Sequence, residues 1–133
     1  MPTVKDSRNF PIRVLLIDDE VGYIYVLSKR LSKRGFEVSK ASSGSEAFQI
    51  LRQRSFDVAI LDLKMTDMDG IEVLRVLKKM APELVVIMLT GHGSAKAAHD
   101  GIRLGAYDYL TKPCETEELI KKIMEAYDKR PAL

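Results

Sequence analysis

The stretch Ile12-Arg13-Val14-Leu15-Leu16-Ile17-Asp18-Asp19-Glu20 runs from a largely apolar block directly into three acids. A continuous β-branched run, unlike an alternating one, marks a strand buried on both faces, as in a parallel sheet covered by helices. Val58 to Leu61, Leu84 to Leu89 and the weaker Ala106 to Leu110 read the same way, whereas Phe36 to Lys40 alternates and reads as an edge strand. Helical spacing fills the gaps. A first helix is expected from about Glu20 to Arg34, with Tyr23, Leu27 and Leu31 on one face and Gly35 as its stop. Tyr25 falls on the opposite face, expected in solvent beside Ser28 and Ser32. A second helix runs from about Ser45 to Arg54 behind a Ser43 capping box, and a third from Gly70 to Met80 behind Asp69 and Glu72. The fourth, about Ser94 to Leu104, is rich in Ala and Gly and offers little to bury. The fifth spans about Glu117 to Tyr127.

Five strands alternating with five helices predict right-handed βαβ units. The expected fold is α/β: a flavodoxin-like, doubly wound (βα)5 three-layer sandwich on a five-stranded parallel sheet of order 2-1-3-4-5, the order taken by analogy. Its 133 residues suit one domain. The expected division is a flexible N-terminal extension over 1–11, a domain over 12–128 and a C-terminal tail or linker stub over 129–133.

Composition excludes several classes. Lys and Arg number 21 against 19 Asp and Glu, a net charge of +2, which argues against a strongly basic nucleic-acid binder and against an acidic disordered chain. The longest apolar run, Leu84 to Leu89, is far below the roughly 20 residues of a membrane span, and no signal-peptide core precedes it. Cys114 is the lone cysteine and suits a reducing compartment, so a cytoplasmic location is expected.

Function is read from the residues that follow the strands. Asp18-Asp19-Glu20 follows strand one, Asp62 strand three, Thr90 strand four, and Thr111-Lys112-Pro113 strand five. In the expected order strand three lies between one and four, so Asp18, Asp19 and Asp62 converge. Carboxylates that close require a shared proton or a cation. Oxygen ligands without His or Cys suit a hard ion such as Mg²⁺, with Mn²⁺ as an alternative occupant. Lys112 and Thr90 can hold phosphoryl oxygens, and a carboxylate attacking phosphorus gives an aspartyl phosphate. The residues thus describe a Mg²⁺-assisted phosphoryl acceptor.

Four motifs in this order also resemble the receiver domains of bacterial two-component response regulators: Leu15-Leu16-Ile17-Asp18-Asp19-Glu20, Leu61-Asp62-Leu63-Lys64-Met65 leading to Asp69-Gly70, Leu89-Thr90-Gly91, and Gly105-Ala106-Tyr107-Asp108-Tyr109-Leu110-Thr111-Lys112-Pro113. The resemblance covers roughly Arg13 to Tyr127. It implies Asp62 as phosphoacceptor, Asp19 as direct Mg²⁺ ligand, Asp18 as a ligand mainly through water, and the Lys64 backbone carbonyl as the remaining protein ligand. It further implies Lys112 as partner of the phosphoryl group, a cis bond before Pro113, and Thr90 with Tyr109 as a switch pair. The donor would be a sensor histidine kinase or a histidine phosphotransfer protein. The output partner is unknown, with a homodimer on phosphorylation as one form. The chain is expected to be a signalling phosphoacceptor, not an enzyme, with no direct nucleic-acid or membrane binding. The sequence departs from the family at Thr66, where many relatives have Pro, and at Cys114, where they often have Phe. The run from Thr90 to Pro113 looks most like receivers attached to transcription regulators.

Rival readings fit less well. A phosphatase of the haloacid-dehalogenase type needs an Asp-x-Asp pair, and with Asp19 as nucleophile the second Asp would fall on Val21. A flavin carrier needs a phosphate loop where this chain has three acids. A degenerate receiver that only binds partners would not need Asp62, Lys112 and Thr90 together. His92 and His99 have no third ligand nearby for a transition metal, although His92 is close enough in sequence to Thr90 to border the pocket.

Overall fold

The structure, a computed structural model, describes residues 10–91 and 95–129. His92, Ser94, nearly all of the expected extension and the last four residues lie outside these. The elements are β1 (Arg13–Ile17), α1 (Val21–Lys33), β2 (Glu37–Ala41), α2 (Gly44–Gln53), β3 (Val58–Asp62), α3 (Gly70–Met80), β4 (Val85–Thr90), α4 (Ala95–Arg103), β5 (Asp108–Thr111) and α5 (Thr116–Asp128). All strand pairs are parallel, in the order β2-β1-β3-β4-β5. Both the architecture and the order expected from the sequence are therefore present.

Strand geometry splits the core in two, because successive side chains point to opposite faces. Val14, Leu16, Ile60 and Ile87 pack with Ile24, Leu27 and Leu31 of α1 and with Leu119, Ile120 and Ile123 of α5. Leu15, Ile17, Leu61 and Met88 pack on the other face with Ala47 of α2, Leu74 and Leu77 of α3, and Ala98 of α4. Every residue of β3 and β4 is buried. Each fully buried Leu or Ile contributes about 1.5–3 kcal/mol, so these central strands are the firmest part of the domain. By contrast α4 buries only Ala98 and Gly101.

The helix ends follow local chemistry. Ser43 accepts from the Glu46 N–H at 3.1 Å while the Glu46 carboxylate accepts from the Ser42 N–H at 2.8 Å, a capping box displaced by one residue. Helices α1 and α4 both close with a glycine at positive φ, Gly35 at 97° and Gly105 at 109°, and each donates to the carbonyl three residues back. On α1 the buried stripe is Ile24, Leu27, Ser28 and Leu31, with Tyr23 half-buried at its rim. The expectation for Ser28 is thus corrected: it is buried, because its position falls next to Leu27 and Leu31 on the packed face. Tyr25 is exposed as expected, its ring between Lys29 and Lys40.

Gly101 has a packing role that composition alone does not reveal. A Cβ there would sit 2.8 Å from Cε of Met88 and closer still to its Sδ, and Met88 is fully buried. The glycine lets α4 approach β4. Gly101→Ala should therefore lower stability by about 1–2 kcal/mol in urea unfolding, although alanine is the better helix former by about 1 kcal/mol. Added to a Met88→Ala background, the same change should cost far less, and equal costs in both backgrounds would refute the close-approach account.

Candidate functional site

The carboxyl ends of β1, β3 and β5 meet at one point. Asp18 closes β1, its N–H donating to the Ala41 carbonyl of β2 at 3.0 Å. Its Oδ1 then accepts from the Glu20 N–H at 2.9 Å, a turn that swings Glu20 back over the strand end. Asp62 ends β3 with the same turn, Oδ1 accepting from the Lys64 N–H at 3.1 Å. Both aspartates are buried, at 2% and 4% exposure. From β5, the Lys112 N–H donates to the Thr90 carbonyl at 2.7 Å, so β4 fixes where the lysine emerges. The Lys112-Pro113 bond is cis.

Lys112 Nζ reaches Asp18 Oδ2 at 2.7 Å, Glu20 Oε1 at 3.0 Å and Asp62 Oδ2 at 3.5 Å. It lies 4.7 Å from the centre of the Tyr23 ring. One ammonium thus faces three carboxylates. Burial by itself lowers the Lys112 pKa, but the hydrogen bonds to Asp18 and Glu20 and the charges of Asp18 and Asp62 outweigh it, and the net shift is upward. Burial pushes the Asp62 carboxyl up to about 6; the Lys64 N–H and Lys112 oppose this, and the Asp18 charge adds to it. The charge is under-compensated.

The charge imbalance has a measurable consequence. Asp62 holds its proton more tightly folded, at about 6, than at the ordinary value of 3.8 expected of the unfolded chain. Its contribution to stability is complete below about pH 4 and is lost as pH rises through about 6. Without divalent cation, the stability of wild type relative to Asp62→Asn should fall across that window in urea titrations. A difference that stays flat from pH 4 to 7 would contradict the raised pKa.

Carboxylate oxygens of Asp18, Glu20 and Asp62 lie within 4.8 Å of one another. An all-oxygen set with surplus negative charge suits a hard divalent cation. Glu20 is the member that sequence reasoning did not single out, although the unbroken run of three acids was the available signal. Asp19 is not one of these three; its Oδ2 accepts from the Thr66 N–H at 3.0 Å. A proline at position 66 could not make that bond, so Thr66 gives the loop after β3 an attachment of its own. Asp67 adds another by accepting from the Gly44 and Ser45 N–H groups of α2 at 3.2 and 3.4 Å. Asp69 caps α3, accepting from the Ile71 N–H at 2.9 Å. The Lys64 backbone is held within this loop by a bridge to Asp69.

Thr90 is buried at the end of β4, beside β3 in the sheet. Tyr109 is half-buried on β5, edge-on to His99 of α4 with ring centroids 6.3 Å apart. Cys114 is half-buried, and burial, with the charges of Glu118 and Glu115, pushes its thiol up to about 11, the opposite of an activated nucleophile.

Residues 14–124 match the response regulator receiver domain family. The chain belongs to that family. Among its relatives, the transcriptional regulatory protein GlrR of Escherichia coli (strain K12) is 36% identical over 118 residues, covering 89% of this chain and 27% of GlrR. The chain thus spans about a quarter of the length of the curated relatives it matches. A CheY-like receiver domain from Methanospirillum hungatei JF-1 superposes with a TM-score of 0.85 at 30% identity, covering 90% of this chain and 95% of that one. A receiver domain from Clostridium thermocellum gives 0.84 at 37% identity, covering 89% and 95%. In receiver terms, Asp18, Asp62, Thr90, Tyr109 and Lys112 lie at the sheet's carboxyl edge and on its last two strands. No helix among the described residues is long and apolar enough to cross a membrane.

Proposed function

We propose that this receiver domain accepts a phosphoryl group on Asp62 from a phosphohistidine of a sensor histidine kinase or a histidine phosphotransfer protein. The supporting observation is Asp62 itself, a buried carboxylate ending a central strand with Lys112 Nζ 3.5 Å away. An Asp62 oxygen forms a bond to phosphorus as the phosphorus–nitrogen bond of the donor breaks. The leaving electron pair returns to the imidazole ring. Lys112 stays protonated throughout, and its ammonium meets the incoming oxygens. Asp18, Asp19, Asp62 and the Lys64 carbonyl would hold Mg²⁺, with Glu20 as a further oxygen at the rim. When bound, Mg²⁺ neutralises charge on the transferring phosphoryl oxygens.

The phosphoryl group adds about −1.5 to −2 charge beside Thr90. Thr90 turning towards it and Tyr109 moving inward would reshape the face formed by α4, β5 and α5, where a second copy or an output partner docks. Helix α4, which buries only Ala98 and Gly101, yields most readily. The protein turns over no separate substrate and works in the cytoplasm. Since GlrR is named a transcriptional regulatory protein, control of transcription is the output this reading favours. Exposed Tyr25 on α1 offers the donor a contact.

The test is mass spectrometry after incubation with acetyl phosphate. Wild type should gain one phosphoryl mass with Mg²⁺ and none with a chelator. Asp19→Ala should reduce Mg²⁺ affinity and labelling together by at least about tenfold, and Asp18→Ala by less. Continuous turnover of a generic phosphate ester without a labelled chain would favour a phosphatase and overturn the acceptor reading.

A further inference from the structure

Besides its three carboxylates, the Lys112 ammonium meets an aromatic ring. The ring of Tyr23, from the first turn of α1, lies 4.7 Å from Nζ, within the range of a cation–π contact. The ring is half-buried and packs on the core face shared by α1 and α5, with Cys114 also at that rim. Among the described residues the Tyr23 hydroxyl shows no hydrogen bond, so the ring face is what it offers the site. We propose that Tyr23 is a positioning residue for phosphoryl transfer: its ring holds the Lys112 ammonium at the mouth of the site while that ammonium exchanges carboxylate partners for phosphoryl oxygens. This role rests on Asp62 being the acceptor.

Geometry supplies the reason. An ammonium has three N–H bonds and no lone pair, so it serves at most three acceptors at full strength. Before transfer it donates to Asp18 Oδ2 at 2.7 Å and Glu20 Oε1 at 3.0 Å, and stands 3.5 Å from Asp62 Oδ2. To meet an oxygen carried on Asp62 it must turn its third N–H and shift towards β3, which loosens its bonds to Asp18 and Glu20. Hydrogen bonds are directional and break during such a rotation. The attraction of a ring face for a cation depends on position over the ring, not on which N–H points where. The ring therefore holds the ammonium throughout. Burial on the core face keeps the ring in place, and it also shields Lys112, whose side chain is only 16% exposed. Burial is also the largest influence on the Tyr23 hydroxyl, raising its pKa, with the Lys112 charge acting against it.

The experiment compares wild type, Tyr23→Phe, Tyr23→Leu and Tyr23→Met, with acetyl phosphate as donor so that no kinase contact enters. Tyr23→Phe keeps the ring and should label Asp62 within about twofold of wild type. Tyr23→Leu and Tyr23→Met keep apolar bulk on the helix without a ring and should label roughly fivefold to tenfold more slowly. Mg²⁺ affinity by calorimetry should stay within about twofold in all, since Tyr23 touches Lys112 and not the cation. A second readout needs no phosphorylation: NMR shifts of the Lys112 ε-methylene, assigned with Lys112→Arg, should be moved upfield by the ring in wild type and Tyr23→Phe and return towards ordinary lysine values in the other two. If wild type labels and Tyr23→Leu labels as fast, or if Tyr23→Phe is as slow as Tyr23→Leu, this role is overturned while the acceptor reading stands. A wild type that never gains a phosphoryl group overturns both.

Discussion

Asp62→Asn should fold as the wild type does and gain no phosphoryl mass from acetyl phosphate at any Mg²⁺ concentration. The substitution changes almost no volume. An amide oxygen still accepts the Lys64 N–H that turns the chain after β3, so the local conformation has no reason to change. What disappears is the buried carboxylate that ends the central strand β3 beside Lys112. Asp18 accepts from the Lys112 ammonium and from the Glu20 N–H, and Asp19 accepts from the Thr66 N–H, so neither replaces Asp62. The loss should be complete, in contrast to the several-fold effects expected around Lys112. Mass spectrometry of the intact chain, with cleavage mapping of any residual label, is the measurement. A variant that still labels, on Asp18, Asp19 or elsewhere, would move the acceptor and remove the main support for the functional reading.

Gly70→Ala should be the most damaging conservative change in the domain, costing about 3 kcal/mol in urea unfolding and lowering the melting temperature by roughly 10 °C. A Cβ at position 70 would stand 2.5 Å from the Leu63 carbonyl oxygen and nearer still to its Cα. Those are backbone atoms. No rotamer change relieves the clash, so the first turn of α3 must move away from the loop. The Gly70 N–H to Leu63 carbonyl bond at 3.2 Å and the Lys64–Asp69 bridge would go with it. Because Lys64 is the residue whose N–H orients Asp62, Mg²⁺ affinity and labelling should fall as well. Survival of wild-type stability in Gly70→Ala would mean that the loop can shift freely, and the anchoring described for it would be wrong.

The sheet was legible in the sequence because its central strands are covered on both sides. Burial leaves no room for polar side chains in Val58 to Leu61 or Val86 to Leu89, so the runs are unbroken. The convergence of Asp18, Asp62 and Lys112 was legible for the same reason, since strand order and register carry strand-end residues to one edge. Contacts set by side-chain reach were not legible. Glu20 on Lys112 depends on a turn made by Asp18, and Gly101 reads as a helix weakener until Met88, from a different element, is seen against it. Tyr23 fits the helical period of a core residue yet lies at the rim, where the same spacing serves the site. Thr66 looked like the loss of a proline; the N–H it restores is the one that holds Asp19.

Among the described residues, strands β2 and β5 each have one sheet neighbour. Open β-edges invite pairing with other chains, and both edges here are guarded. On β2, Glu37 and Lys40 are exposed; β5 is only four residues long, starts with Asp108 salt-bridged to Lys122, and runs straight into Pro113. Extending the sheet from one copy to the next would strand these charges against a foreign backbone. Strand-to-strand pairing between copies is therefore disfavoured, and a crowded population of copies is protected from growing into a continuous ribbon.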